Sequence, residues 1–332
     1  MEIKKLLAPF NEGEIKKYWK YTDKVYVSCV CITFNQKDYI RDALDGFLAQ
    51  KTEYRFEIII HDDVSTDGTR DILFEYKEKY PSIIKLVLQD ENQYKQGKKI
   101  TPLAVSYASG EYIALCEGDD FWISNKKIQK QTEMLELYEN INLCTHNAHF
   151  IDEKCNILSH QFNKILRKDR YISYRHVFSS NGQFCPTASM FFRRELLDNQ
   201  PSFYSKSPFG DFALEVITGQ CGIINIGSIF SVYRYQLSSQ NWSSINLSTI
   251  DKKINITKLG ISNLDLIFDY LPFNKKWMIY LRRSNLFFNL ALINAERGNK
   301  KKAIFFYIRS LFIKTKISRN DFYFICKMMS SK

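Results

Sequence analysis

The feature that most constrains the fold is an alternation of strands and helices. Four apolar runs of strand length, rich in β-branched residues, recur near the start of the chain at residues 25–33, 56–60, 84–88 and 112–116. Apolar residues recur at helical spacing over residues 39–50, and a second helix follows the turn residues at 65–69 until Pro81 stops it. Because strand–helix–strand units join parallel strands through right-handed crossovers, we predict an α/β fold with a mostly parallel sheet.

Polar residues stand at the ends of three of the predicted strands. They are Thr33 and Asn35, then Asp62 and Asp63, then Glu117, Asp119 and Asp120. Because parallel sheets bind ligands beyond the carboxyl ends of their strands, these residues predict a site there. Adjacent carboxylates in that setting suit Mg²⁺ or Mn²⁺ bridging a diphosphate. A capped turn would explain Asp119 or Asp120 alone, but not both together with Glu117.

The formal net charge of +11 comes from the end of the chain. Residues 251–332 hold 17 Lys and Arg against 5 Asp and Glu, whereas residues 1–250 hold 30 against 31. A near-neutral body argues against a nucleic-acid-binding core, so no nucleic acid partner is expected. The basic end is interpreted either as a surface for something anionic or as a solvated helical face.

Several classes of protein are excluded by motifs that the sequence lacks. It has no Gly-x-x-x-x-Gly-Lys-[Ser/Thr] and no Gly-x-Gly-x-x-Gly after the first strand, which argues against P-loop NTPases and dinucleotide dehydrogenases. The eight cysteines form no Cys-x-x-Cys pair, and the first residues lack the apolar stretch of a signal peptide, so we expect a reducing cytoplasm. No window has the roughly 18 apolar residues that a membrane span needs.

Three motifs, in this order, resemble the bacterial family-two glycosyltransferases of the GT-A fold. They are residues 27–50 with Thr33-Phe34-Asn35, residues 57–69 with His61-Asp62-Asp63, and residues 110–122 with Glu117-Gly118-Asp119-Asp120. Residues 210–234 also match the family, so the resemblance covers about residues 25–245.

This resemblance implies a GT-A-type, Rossmann-like, mostly parallel sheet sandwiched by helices. The expected organisation is an N-terminal lead-in helix (1–24), a glycosyltransferase domain (25–245) and a basic, aromatic-rich helical C-terminal region (246–332). The implied activity is metal-dependent, inverting transfer of a sugar from a UDP- or dTDP-sugar, with Mg²⁺ or Mn²⁺ as cofactor. The implied acceptor is a saccharide or a lipid-linked glycan, as in capsule or O-antigen biosynthesis.

The resemblance also implies roles for five residues at the strand ends. Thr33 and Asn35 lie where the first strand meets the nucleoside, and Asp63 matches the carboxylate that accepts a hydrogen bond from the base. Asp120 is the first choice for the metal ligand. Asp119 belongs to the same metal motif and is expected to contact the ribose or the sugar.

Further roles concern the reaction itself. Asp211 falls where the family places its general base, although an N-cap of the following helix is the structural alternative. Lys98 is a candidate for the diphosphate, with a solvated lysine as the alternative. Arg234 is expected either to offset the phosphate charge or to pair with a carboxylate. Many relatives have Asp where Glu117 stands and His where Gln236 stands, so neither residue is assigned to the metal.

Two alternatives remain open. The first is a catalytically idle GT-A-like domain that acts as a scaffold at a membrane surface. The second is a nucleotidyltransferase, which is weakened because the Gly-rich phosphate loop expected near the first strand is missing.

Aromatic and basic residues interleave in residues 251–332. The aromatic ones are Trp277, Tyr280, Phe287, Phe288, Phe305, Phe306, Tyr307 and Phe312. The basic ones are Lys275, Lys276, Arg282, Arg283, Lys300 to Lys302, Arg309 and Lys314. Because basic residues attract anionic lipid and aromatic ones favour the interface, we expect peripheral binding to the inner face of the cytoplasmic membrane. The alternative is that the aromatic residues form the region's own core.

Overall fold

The computed structural model describes residues 3–159, 167–180, 182–235 and 248–311, together with Phe324. The chain folds into two compact units. The first comprises Met1–Val177, Gln183–Gln200 and Gly210–Tyr235, and the second comprises Phe178–Gly182, Pro201–Phe209 and Gln236–Lys332.

In the described part of the first unit, nine strands form one mixed sheet. They are β1 (Val27–Thr33), β2 (Phe56–Asp62), β3 (Ile84–Leu88), β4 (Tyr112–Glu117), β5 (Phe121–Trp122), β6 (Leu143–Ile151), β7 (Arg170–Ile172), β8 (Phe191–Arg193) and β9 (Ile223–Arg234). Their order is β3-β2-β1-β4-β8-β6-β9-β5, and β7 pairs with β9. The neighbours from β3 to β4 are all parallel, as predicted for the first four strands.

Helices flank this sheet and build the second unit. The described α-helices are α1 (Glu12–Lys16), α2 (Ile40–Leu48), α3 (Thr69–Lys79), α4 (Ile100–Val105), α5 (Lys127–Leu137), α6 (Tyr174–Phe178), α7 (Ser202–Lys206), α8 (Gly210–Thr218), α9 (Ile250–Phe268), α10 (Trp277–Glu296) and α11 (Lys300–Leu311). Short 3₁₀ turns cover Thr187–Ser189, Arg194–Leu197 and Phe273–Lys275.

The register of the parallel strands brings their polar ends side by side. Thr33 of β1 pairs with Asp62 of β2, and Ile32 pairs with Glu117 of β4. The strands are held from both faces by apolar side chains with no exposed surface, such as Ile60 and Ala114. Burial of such side chains on both faces is typical of the centre of a parallel sheet and fixes where the strand ends lie.

Three predicted elements differ from the observed ones. The sequence predicts a strand over residues 185–193, but the strand is limited to β8, because Pro186 lacks a backbone N–H and the Ser189 backbone N–H donates to its carbonyl at 2.9 Å, closing a 3₁₀ turn. The sequence also predicts two short strands, at 222–226 and 230–235, and the structure has instead one strand, β9, whose register with β6 shifts around Asn147. The predicted lead-in helix over 1–24 is helical only at α1, which Asn11 caps.

The second unit is helical where it is described. The hairpin of α10 and α11 turns at Gly298, whose φ of +79° favours glycine, and its contact buries Ala291, Ala303 and Phe288. Part of the aromatic content of this region therefore forms its own core. Among the described helices, none is long and apolar enough to cross a lipid bilayer.

Candidate functional site

Two of the polar residues at the strand ends hold loops of the first unit together. Asn35 has a left-handed backbone, with φ of 52°, and its side-chain oxygen accepts the Thr66 N–H at 2.8 Å. Its own N–H donates to the Ser65 hydroxyl at 2.8 Å. Asp62 is fully buried and pairs with Arg70 at 2.6 Å. These contacts join the loops that follow β1 and β2 into one rigid rim.

Asp63 anchors a longer loop over the same edge. Its two carboxylate oxygens accept the backbone N–H groups of Gln93 and Tyr94, at 2.7 and 3.0 Å. Asp63 is almost fully buried, and each oxygen retains further acceptor capacity. The anchored loop is the one that carries Lys98 and Lys99.

These two lysines have different surroundings. The Lys98 ammonium is exposed and donates to the Gln93 side chain at 2.6 Å. Lys99 is half-buried, and burial lowers its pKa, while the nearby Asp211 carboxylate acts in the opposite direction. The structure therefore brings Lys99, which the sequence did not single out, close to the predicted base.

Glu117, Asp119 and Asp120 form a crowded carboxylate cluster after β4. Burial raises the pKa of all three, and the charge of Asp119 raises that of Asp120 further. For Glu117, the next largest cause is Asp211, followed by Asp119 and Asp120. Glu117 was not assigned to the metal from the sequence. The negative charges of Asp119, Asp120 and Asp211 nevertheless all act on it.

Arg234 offsets part of this negative charge. Its backbone N–H donates to the Asp120 carboxylate at 2.9 Å, and its guanidinium donates to the Asp119 carbonyl at 2.5 Å. The guanidinium also pairs with Asp42, which Lys5 contacts at 2.7 Å. Arg234 is thus a buried counter-charge of the carboxylate cluster.

Asp211 lies in the first turn of α8, near enough to Glu117 for its charge to raise the pKa of that carboxyl. Burial raises the pKa of Asp211 to about 6, and both the Lys99 charge and a hydrogen bond from the Thr187 hydroxyl act against that rise. A carboxyl with that pKa is ionised at neutral pH and remains a stronger base than an ordinary aspartate. Because α8 begins at Gly210, Asp211 is the second residue of the helix and not its N-cap, which was the structural alternative.

The carboxylate cluster fits a divalent cation. Asp120 Oδ2 and Thr33 Oγ1 are buried and make no hydrogen bond to the described residues. Over the described ranges, no three His, Cys, Asp or Glu side chains converge as a complete ligand set. A cation here would therefore be held by one or two carboxylates and completed by oxygens of a bound ligand, as is usual for Mg²⁺ beside phosphates.

Sequence reasoning missed several other residues around the cluster. Burial and the charges of the four carboxylates raise the pKa of Tyr233, which precedes Arg234. The Gln36 side chain lies close enough to Asp119 to lower the pKa of that carboxyl. A Cβ at Gly118 would contact Gln36 and come within 3.0 Å of Thr33 Oγ1. Gly118, between Glu117 and Asp119, was the one feature of the sequence that indicated this close approach to Gln36 and Thr33. Gln236, which stands where many relatives have His, lies outside the described residues.

Sequence comparison relates the chain to glycosyltransferases. The model of "Glycosyl transferase family 2" matches residues 28–200. The Escherichia coli protein "UDP-Glc:alpha-D-GlcNAc-diphosphoundecaprenol beta-1,3-glucosyltransferase WfgD" is 29% identical over 221 residues, which are 65% of this chain and 80% of that protein. Uncharacterised mycobacterial relatives are 43% identical over 129 residues, and the alignment spans only 36% of their length.

Structural comparison shows the same fold at low identity. Staphylococcus aureus TarS 1-349, solved in complex with UDP-GlcNAc, matches with a TM-score of 0.52 and 13% identity, over 85% of this chain and 89% of that one. The Pyrobaculum calidifontis mannosyltransferase PcManGT, solved with GDP-Man and Mn²⁺, matches with a TM-score of 0.56 and 15% identity, over 95% and 84%. The sheet topology, the strand-end carboxylates and the family match over half of the sequence agree: the chain has a GT-A-like fold and belongs to glycosyl transferase family 2.

Proposed function

We propose that this protein is a metal-dependent, inverting glycosyltransferase of bacterial surface polysaccharide biosynthesis, of the capsule or O-antigen type. It would move a sugar from a UDP- or dTDP-sugar to a saccharide or lipid-linked acceptor. The observation that carries the proposal is that Asp211 lies near enough to Glu117, at the carboxyl edge of the parallel strands, to raise its pKa, and that Asp211, Glu117, Asp119 and Asp120 all act on Tyr233. WfgD, a relative named for a UDP-sugar donor and a lipid-diphosphate acceptor, supports it.

The nucleoside would bind at the ends of β1 and β2. We assign the base N–H to Asp63, whose oxygens each accept one backbone N–H and retain lone pairs for a ligand. Thr33 has a buried hydroxyl that makes no bond to the described residues, which suits a polar contact. Asn35 is engaged with Ser65 and Thr66, so its part would be to shape the rim beside the nucleoside.

The diphosphate would lie over the carboxylates that follow β4. Asp120, with its unbonded Oδ2, and Asp119 would hold Mg²⁺ or Mn²⁺, which as a Lewis acid neutralises the leaving diphosphate. Arg234 would moderate the charge of both aspartates through its guanidinium and its backbone N–H. Lys98 or Lys99, on the loop anchored by Asp63, would supply a further positive charge.

Asp211 would act as the general base. Its carboxylate would accept the proton of the acceptor hydroxyl as that oxygen attacks the anomeric carbon. Because one base and direct displacement complete the reaction, the sugar would invert at that carbon. The Thr187 hydroxyl would hold one side of the carboxylate while the other faces the acceptor.

The test is an assay of donor hydrolysis and sugar transfer across UDP- and dTDP-sugars with Mn²⁺ present. Asp120→Asn and Asp211→Asn should each lower turnover by about 100-fold or more, since single catalytic groups contribute that much. Asp198→Asn, at an exposed carboxylate paired with Arg194, is the matched control and should leave turnover unchanged. Wild-type turnover in Asp120→Asn and Asp211→Asn would refute the site assignment.

We also propose that the C-terminal region binds the inner face of the cytoplasmic membrane. Phe273 is 92% exposed, and Trp277 and Tyr280 are 46% and 44% exposed at helical spacing from it. Lys275 and Lys276 lie between them. Basic residues near anionic lipid contribute about 1 kcal/mol each, and aromatic side chains favour the interface. Phe312 and Lys314, named with this region, lie outside the described residues.

Vesicle sedimentation tests the membrane proposal. The wild type should bind phosphatidylglycerol vesicles more strongly than phosphatidylcholine vesicles, and added salt should weaken that binding. Phe273→Ser with Trp277→Ser should lower it, while Phe74→Ser, at an aromatic residue of α3 that is also 52% exposed, is the control. Equal binding to both kinds of vesicle would refute the membrane proposal.

An idle scaffold is the alternative to the enzyme. Calorimetry with UDP and Mn²⁺ separates the two, because a scaffold would show no metal-dependent nucleotide binding.

A further inference from the structure

A second buried carboxylate lies on the same helix as the proposed base. Glu215 follows Asp211 by four residues in α8, so the two side chains leave the same face of the helix. Glu215 has no exposed surface. Placing a carboxylate in such a position is costly unless it accepts strong hydrogen bonds, so its hydrogen bonds indicate why it is there.

Glu215 binds the backbone of a neighbouring segment. One of its oxygens accepts the N–H groups of Phe184 and Cys185, at 2.6 and 2.9 Å. The Cys185 thiol lies 3.5 Å from the same oxygen. Glu215 therefore fixes the start of the segment that runs into the 3₁₀ turn Thr187–Ser189.

The same segment delivers a hydroxyl to the proposed base. Thr187, two residues after Cys185, accepts a hydrogen bond from Gln183 at 3.2 Å, and its hydroxyl lies close enough to the Asp211 carboxylate to lower the pKa of that carboxyl. Two carboxylates one helical turn apart thus flank one short segment, which Glu215 binds through two backbone N–H groups. Movement of the segment would carry the Thr187 hydroxyl away from Asp211.

We propose that Glu215 is a positioning residue, which clamps residues 183–189 so that Thr187 orients the Asp211 carboxylate toward the acceptor hydroxyl. This role rests on the proposed function for its catalytic consequence, but the clamp itself does not. Glu215 touches no reacting atom and acts through Thr187. An orienting hydrogen bond affects the chemical step more than substrate binding, because misplacing a catalytic group by about 1 Å costs on the order of 100-fold in rate.

The experiment combines kinetics with hydrogen exchange on the full chain. Glu215→Ala should speed amide exchange in the peptide covering 183–189 and lower kcat at least tenfold with the KM for the donor little changed. Glu215→Gln retains an acceptor oxygen and should restore much of both. Thr187→Val, which removes only the hydroxyl, should lower kcat alone. Thr218→Ala is the matched control, since that buried hydroxyl bonds only the Leu214 carbonyl of its own helix.

The outcomes are distinguishable. Unchanged exchange in Glu215→Ala would overturn the clamp, and faster exchange with unchanged kcat would overturn its catalytic role. If Glu215→Ala fails to fold, an unchanged kcat in Thr187→Val overturns that role by itself. If the wild type transfers no sugar from any donor, the proposed function fails, and the exchange data for Glu215→Ala and Thr218→Ala still decide whether the clamp exists.

Discussion

The backbone N–H of Arg234 donates to the Asp120 carboxylate at 2.9 Å, which ties the last residue of β9 to the second aspartate after β4. The carboxylate is thereby held in one orientation, with its other oxygen buried and without a hydrogen bond to the described residues. Since the bond comes from the main chain, it does not depend on the Arg234 side chain, and every residue except proline can supply it. The orientation of Asp120 and the neutralisation of its charge can therefore be tested separately.

Replacing the Arg234 guanidinium should destabilise the fold. Arg234→Gln removes the partner of Asp42 and a counter-charge of Asp119, and breaking a buried ion pair costs about 3 kcal/mol. Arg41→Gln, which breaks an exposed pair with Glu75, should cost less than about 1 kcal/mol. Urea denaturation at neutral pH measures both free energies of unfolding. Equal decreases in the free energy of unfolding would mean that the buried Arg234–Asp42 pair stabilises the fold no more than the exposed Arg41–Glu75 pair does.

The buried Asp211 carboxylate, which the proposed reaction needs in its ionised form, should lower the stability of the fold at neutral pH. Because its folded pKa of about 6 lies above the ordinary value of 3.8, the ionised form is disfavoured in the fold, and the group costs stability above pH 6. Asp211→Asn should therefore be more stable than the wild type at pH 7.5, by about 1–3 kcal/mol. That gain should fade as the pH falls from 6 to 4 and vanish below about pH 4, where the wild-type carboxyl becomes protonated in both states.

The same group sets the pH dependence of transfer. A base must be ionised, so wild-type kcat/KM should fall about tenfold per pH unit below about pH 6. Thermal unfolding and rate measurements across pH 4 to 8 check the two effects together. A profile that stays flat down to pH 5 would contradict the assignment of Asp211 as the base.

The parallel half of the sheet could be predicted because its signals are local. The β-branched run that forms β1 and the polar residues that end it are adjacent in sequence, and parallel pairing alone then places Thr33 beside Asp62. The same reasoning located Asp120 and the edge of the sheet at which a site should form.

Other parts of the site depend on contacts that sequence does not encode locally. Lys99 and Lys98 are equivalent by composition and differ only in how the loop anchored by Asp63 turns them. No sequence pattern singles out Thr187 or Glu215, and only the folded chain shows that Glu215 binds the backbone beside Thr187 and that Thr187 lies close to Asp211. Such contacts depend on tertiary packing, so the periodicity of the sequence does not predict them.

Lys99 and Lys98 should respond differently to the same substitution. Lys99→Gln removes the positive charge that favours ionised Asp211, so the acid limb of the kcat/KM profile should move to higher pH. It should also weaken UDP binding in calorimetry with Mn²⁺ by about tenfold, as expected for a lost ionic hydrogen bond. Lys98→Gln, at the exposed ammonium, is the matched control and should change both by less than about threefold. A larger effect from Lys98→Gln would place the diphosphate contact there.

Lys127 should make stability depend on pH in the alkaline range. Its ammonium is fully buried 4.0 Å from the centre of the Trp122 ring and donates to Gln131, and burial lowers its pKa to about 8. Because the unfolded lysine holds its proton up to about pH 10.5, the unfolded state binds more protons between these values, and stability contributed by this group rises with pH.

Lys127→Met removes that dependence. Relative to this variant, the wild type should gain about 2–3 kcal/mol in free energy of unfolding between pH 7.5 and 10.5. Buried thiols such as Cys29 and Cys116 act in the opposite direction above about pH 9, but they are common to both proteins and cancel in the difference. Lys130→Met, at an exposed lysine of the same helix, should follow the wild type throughout. A difference between wild type and Lys127→Met that stays constant across this range would mean that the buried amine keeps its proton, stabilised by the Trp122 ring.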